Sequence, residues 1–185
     1  MQKTVAVIVG SARKESLNLK MAKTLIKLAP ENLALEILQI SDLPIYNEDA
    51  DVDPSQAWIK FRNALKPFDA VLFVTPEYNR SVPALLKNAI DIGSRPQGQS
   101  AWSGKPAAIV TVSPGATGGF GANHHLRQSL VFLNMPAMAQ PEAYIGGAAK
   151  LFDDKGNISV DSTREFMRKF MHAFGDWIFL ISKEK

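Results

Sequence analysis

Apolar residues in this chain come in short uninterrupted bursts, separated by stretches in which they recur every three or four positions. Val5–Val9 is one such burst and reads as a strand with both faces buried. After it, Leu17, Met21, Ala22, Leu25, Ile26 and Ala29 fall on one helical face, and Pro30 ends that helix. Leu33–Ile40 is a second strand, less continuous and edge-like. Asp53-Pro54 has the form of a helix start, with Asp as cap and Pro at the first helical position, and this helix runs to about Lys66. Ala70–Thr75 is a third, buried strand, followed by a helix over Ser81–Ile92 with Pro83 near its start. Ala107–Val112 is a fourth strand and Gly121–Leu133 a fourth helix. Ala137–Tyr144 is a weakly marked fifth strand, and Thr163–Ser182 a long final helix. Phe166, Phe170, Phe174, Trp177 and Ile181 share one side of that helix, a spacing that predicts a core stripe rather than a ring-stacking ligand surface.

Five strands alternating with five helices predict βαβ units and a parallel sheet, with right-handed crossovers that put helices on both faces. The 185 residues suit one domain of ~100–200 residues. No composition break, repeat or low-complexity tract divides them, so residues 1–185 are expected to form a single domain. The longest apolar runs have five residues, far below the ~18 of a membrane span. The first residues, MQKTVAVIVG, enter a strand directly and lack the apolar segment and cleavage site of a secretory signal. The expectation is therefore a cytoplasmic protein with no membrane span.

Cysteine is absent. Disulfides, thiolate nucleophiles, iron–sulfur clusters and cysteine zinc sites are thereby excluded, and any redox chemistry must come from a bound cofactor. Twenty-one basic residues against 18 acidic ones give a net charge of +3. The basic residues are scattered, apart from Lys20, Lys23 and Lys27, which read as a solvated helix face. That is no footprint for nucleic acid, but it suits small anions. Of the three histidines, the adjacent His124 and His125 diverge on a helix and have no evident third partner, so no metal site is expected.

Ligands of open parallel sheets bind beyond the carboxyl ends of the strands, where the strand order reverses. Three unusual loops follow the first, third and fourth strands. The first, Gly10–Asn18, offers hydroxyls (Ser11, Ser16), an amide (Asn18), a guanidinium (Arg13) and the N–H groups of a helix start, which are the donors a phosphate monoester needs. It is neither a G-x-G-x-x-G fingerprint nor a Walker A loop. The second, Thr75–Pro83, is stiffened by two prolines and carries Glu77, Tyr78 and Asn79, suited to the face and edge of a heterocycle. The third, Ser113–Gly121, has four glycines in its last seven residues, which allow positive φ and close approach to a ligand.

Gly10-Ser11-x-Arg13-x-x-Ser16-x-Asn18 and Thr75-Pro76-Glu77-Tyr78-Asn79-x-Ser81-x-Pro83, continuing through Leu86-Lys87-Asn88-Ala89-Ile90-Asp91, resemble the NAD(P)H-dependent FMN reductases. Ser103-Gly104-Lys105-Pro106 and the Ser113–Gly119 loop fit as well, and the quinone and chromate reductase branch is the nearest. The resemblance implies an α/β, flavodoxin-like fold with a five-stranded parallel sheet in the order 2-1-3-4-5. It implies FMN as cofactor and NADPH or NADH as electron donor. It places the FMN phosphate at Ser11, Arg13, Ser16, the Leu17 backbone and Asn18. Isoalloxazine and ribityl contacts fall at Pro76, Glu77, Tyr78, Asn79, Ser113 and Gly115. Expected acceptors are quinones, chromate and azo compounds, reduced by ping-pong two-electron transfer through flavin N5. The expected assembly is a homodimer or homotetramer.

Arg80 and Arg95 are candidates for holding anionic substrates, and Arg127 with Glu142 is a candidate pair across a subunit contact. Three other readings stay open at this point. These are a flavodoxin-type electron carrier, a non-catalytic flavin-binding sensor, and a nucleotide-binding enzyme without flavin.

Overall fold

A computed structural model describes residues 2–182. Its strands are β1 (Lys3–Val9), β2 (Leu33–Leu38), β3 (Ala70–Thr75), β4 (Ala107–Val112) and β5 (Ala143–Ile145). The helices are α1 (Leu17–Leu28), α2 (Gln56–Leu65), α3 (Ala84–Gly93), α4 (Phe120–Phe132) and α5 (Asp161–Ser182). All strand pairs are parallel and the order is β2-β1-β3-β4-β5, the flavodoxin-like order expected from the sequence.

The two faces of the sheet separate two apolar layers, because successive strand residues point to opposite sides. Val5, Val7 and Val9 of β1, Ala70, Leu72 and Val74 of β3, and Ala108, Val110 and Val112 of β4 pack against α1 and α5. Their alternates, Ala6, Ile8, Val71, Phe73, Ala107 and Ile109, pack against α2, α3 and α4. The runs predicted to be buried on both faces are so. The aromatic stripe of α5 is core: Phe170 and Phe174 are fully buried, and Phe166 and Trp177 pack against the same cluster. Ile181 is half-buried at the end of the stripe.

Several boundaries differ from the sequence reading for local reasons. Helix α2 starts at Gln56 rather than at Pro54, because the cap is Ser55, whose Oγ accepts from Trp58 N at 3.3 Å. Helix α3 starts at Ala84, because Ser81 exchanges backbone hydrogen bonds with Tyr78 and so belongs to a turn. Strand β5 covers only Ala143–Ile145. Ala137 makes one isolated bridge to Ala107, and Pro141, with no N–H to donate, sits where the ladder would continue.

Strands β1, β3 and β4 are adjacent at the centre of the sheet, so the loops after them leave side by side. That placement is what forms the site.

Candidate functional site

The chain turns out of β1 at Gly10, whose N–H donates to Val74 O at 2.9 Å. A Cβ at this position would lie 2.3 Å from Thr75 Oγ1, so only glycine lets the first loop pass this close to the end of β3. The loop then delivers Ser16 as the cap of α1, buried at 3% exposure, with its Oγ accepting from Leu19 N at 3.1 Å. Leu17 and Asn18 open the helix, so their N–H groups have no carbonyl one turn back within it. Asn18 is buried and donates from Nδ2 to Val112 O at 3.3 Å, tying the first loop to the end of β4. Its Oδ1 is buried without a partner.

The second loop is held as a tight turn. Tyr78 and Ser81 exchange backbone hydrogen bonds of 3.0 and 2.9 Å, and the two residues between them, Asn79 (φ 50) and Arg80 (φ 64), are both left-handed. That is the geometry of a two-residue hairpin turn with positive φ at both central positions. Asn tolerates it, whereas an arginine there costs roughly 1–2 kcal/mol. The Glu77 carboxylate fixes the loop from below: Oε1 accepts from Arg80 Nη1 at 3.2 Å and Oε2 from Ala122 N at 3.1 Å.

In the third loop, Ser113 Oγ accepts from Gly115 N at 3.1 Å. Gly118 (φ 62) is doubly required, since a Cβ there would lie 2.5 Å from the Tyr144 carbonyl carbon.

Between the three loops lies a cleft of about 230 Å³. Ser11, Arg13, Ser16, Leu17, Asn18, Pro76, Glu77, Tyr78 and Ser113 line it, together with Val112 and Pro114. Asn79 and Gly115 belong to the same loops but do not line the cleft. Neither do Arg80 and Arg95. Arg80 turns its guanidinium to Glu77. Arg95 donates to the Tyr46 hydroxyl at 2.9 Å, stacks over the Tyr46 ring and lies 3.7 Å from Asp51. It borders a separate depression between α3 and α4, with Lys87, Asp91 and His125.

Arg127 and Glu142 pair within the chain. The two side chains approach to 4.0 Å within one chain, and Arg127 also donates to Asn123 Oδ1 and Met138 O, both at 2.9 Å. It fastens α4 to the segment before β5. The histidines diverge as expected: His124 Nε2 lies 3.2 Å from the Tyr144 hydroxyl and His125 Nδ1 3.0 Å from Ser81 Oγ. Burial, followed by the neighbouring Glu142, pushes the Tyr144 hydroxyl up to about 12. Among the described residues there is no cluster of three metal-ligating side chains, and no helix is long and apolar enough to cross a membrane.

Residues 4–150 match the model of the NADPH-dependent FMN reductase family. The chain is 64% identical to a quinone reductase of Pseudomonas putida over 176 residues, 95% of this chain and 94% of that protein. It is 42% identical to a 2-hydroxy-1,4-benzoquinone reductase of a Burkholderia species, with 94% and 95% covered. Among solved structures, the flavoenzyme NAD(P)H:(acceptor) oxidoreductase FerB of Paracoccus denitrificans superposes with a TM-score of 0.89 at 45% identity, over 95% of this chain and 97% of that one. The chain belongs to the NADPH-dependent FMN reductase family. It is an NAD(P)H oxidoreductase that works with FMN.

Proposed function

We propose that this enzyme reduces quinones with NAD(P)H, holding FMN in the cleft with the phosphate against the first loop. The observation that carries the reading is a shared arrangement of three serines. Ser11, Ser16 and Ser113 all line the cleft, and each Oγ accepts a nearby backbone N–H, from Arg13, Leu19 and Gly115 respectively. A hydroxyl that already accepts from the backbone keeps its one proton to donate outward. The Ser11 and Ser16 protons, the Leu17 and Asn18 N–H groups and the Arg13 guanidinium form a donor set for a dianionic phosphate at a helix N-terminus, and the Ser113 proton is left for the ribityl chain or the ring. The residues fit the rest of the cofactor too. The unpartnered Asn18 Oδ1 needs a donor, and a polyhydroxyl chain attached to that phosphate carries several. Pro76, Glu77 and Tyr78 form the wall available to a flat ring, with Asn79 and Gly115 on the flanking backbone.

FMN, when bound, supplies two-electron acceptance from NAD(P)H and two-electron donation at N5. The chain's own part is to hold, orient and exclude. Among the residues lining the cleft there is no histidine, and both oxygens of its one carboxylate, Glu77, already accept hydrogen bonds. No histidine and no free carboxylate of the lining is thus poised to act as acid or base. Donor and acceptor then use the same mouth in turn, which is a ping-pong sequence. The acceptor class is set by reach and redox potential more than by tight recognition, and we include chromate and azo compounds in it. We place the enzyme in the cytoplasm as a homodimer or homotetramer, whose contacts would cover Val131 and Phe132, 80% and 90% exposed on α4.

The test is steady-state kinetics with NADPH and a simple quinone, both varied. Parallel double-reciprocal lines are expected. Intersecting lines would overturn the ping-pong sequence, and no quinone-dependent oxidation of NADPH would overturn the function.

A further inference from the structure

We infer that the Glu77 carboxylate is a positioning residue that locks the second loop onto the start of helix α4 and, by occupying Arg80, sets how the mouth of the site treats anionic acceptors. The second half of this inference rests on the quinone reductase reading above; the first half does not.

Helix α4 opens at Gly119, which is left-handed at φ 83 and has no side chain to cap the helix. The N–H of Ala122, the third helical residue, thus lacks the local acceptor that a Ser, Thr or Asp cap would give it. Glu77 supplies that acceptor from another loop, 45 residues earlier, with Oε2 at 3.1 Å. The positive end of the helix favours the negative charge there. The approach is tight by construction: a Cβ on Gly121 would lie 2.8 Å from Arg80 O and 3.0 Å from Glu77 Oε2. A second tie runs parallel to it, from Ser81 Oγ to His125 Nδ1 on α4 at 3.0 Å.

The other carboxylate oxygen holds Arg80, whose backbone sits in the left-handed region that a non-glycine residue keeps only when its surroundings hold it there. The Glu77 side chain is 10% exposed and that of Arg80 75%. The carboxylate is therefore the fixed end of the pair, and the guanidinium is the end facing solvent beside Tyr78. While the pair is intact, the arginine charge is compensated on the spot. Arg80 then adds little attraction for an anionic acceptor. Neutralising Glu77 releases a cation in the turn next to Tyr78, which lines the cleft.

Two readouts in the full chain test this. The first is amide exchange at Ala122, measured with or without FMN. Glu77→Ala is expected to speed it about fivefold, the effect of a lost helix cap, while Arg80→Gln leaves it unchanged. The second is the ratio of KM for a sulfonated naphthoquinone to KM for menadione. Glu77→Gln is expected to lower this ratio about threefold, the scale of an exposed ion pair, and the added Arg80→Gln change to restore it. Arg80→Gln alone should leave the ratio within about twofold of wild type.

Unchanged Ala122 exchange in Glu77→Ala would overturn the clamp. An unchanged ratio in Glu77→Gln, or a several-fold rise in Arg80→Gln alone, would overturn the charge compensation. If the wild-type chain reduced neither quinone, the functional reading would fall, and the exchange experiment would still decide the clamp.

Discussion

Ser16 is assigned two tasks that can be separated. It caps α1 through Oγ, which accepts from Leu19 N at 3.1 Å, and in the proposed function its remaining proton goes to the phosphate in the cleft that it lines. Ser16→Ala removes both. The lost cap costs about 1 kcal/mol, which in a chain of this size lowers Tm by roughly 2–4 °C. The lost donor to a phosphate is a charge-assisted hydrogen bond of about 1.5–3 kcal/mol, or roughly a ten- to hundredfold weaker FMN Kd. Ser16→Gly removes the donor equally, yet glycine at a cap position costs only about a few tenths of a kcal/mol. The expected pattern is thus a shared loss of FMN affinity and a divergent loss of stability. Thermal melting of the flavin-free chain gives the second quantity, and quenching of FMN fluorescence on titration gives the first. Wild-type FMN affinity in Ser16→Gly would refute the phosphate assignment. An unchanged Tm in Ser16→Ala would refute the cap.

Gly118→Ala is expected to lose about 3 kcal/mol in urea unfolding, because the added Cβ meets the Tyr144 backbone at 2.5 Å in a left-handed conformation. Tyr144 titrates in the folded chain at about 12 against an ordinary value of 10.0. Its contribution to stability is whole below pH 10 and is lost as pH rises toward about 12. A Tyr144→Phe chain should show a shallower decline in melting temperature across that window. Arg62 is 7% exposed, and among the described residues its buried Nε and Nη2 have no hydrogen-bond partner, while its guanidinium lies over the Trp58 ring at 5.9 Å. Arg62→Met should therefore be neutral or raise Tm. A drop of several degrees would contradict this reading of the buried guanidinium.

The sheet and the outline of the site were legible because the signals that carry them are local. Val5–Val9 and Ala70–Val74 are too apolar to be anything but strands buried on both faces, and once their order is fixed the three loops must converge. The Ser16 cap of α1 was legible for the same reason: a serine before an apolar helical face is readable one residue at a time. Contacts between distant parts of the chain were not. Nothing in the sequence places Glu77 under Ala122; the only trace is Gly121, a glycine where the carboxylate and Arg80 approach most closely. Arg95 looked available because it sits in a polar loop, but Tyr46 and Asp51, more than 40 residues earlier, occupy it. The weak fifth strand failed at Pro141, where loss of one N–H outweighed an apolar stretch.

The most direct test of the account is an absorbance spectrum of the purified chain incubated with FMN, recorded before and after anaerobic NADPH. The account predicts a bound flavin whose visible band bleaches in one two-electron phase, without a lasting radical absorbance. A bound flavin that NADPH does not bleach would contradict the oxidoreductase function. Failure to bind FMN at all would contradict the assignment of the cleft.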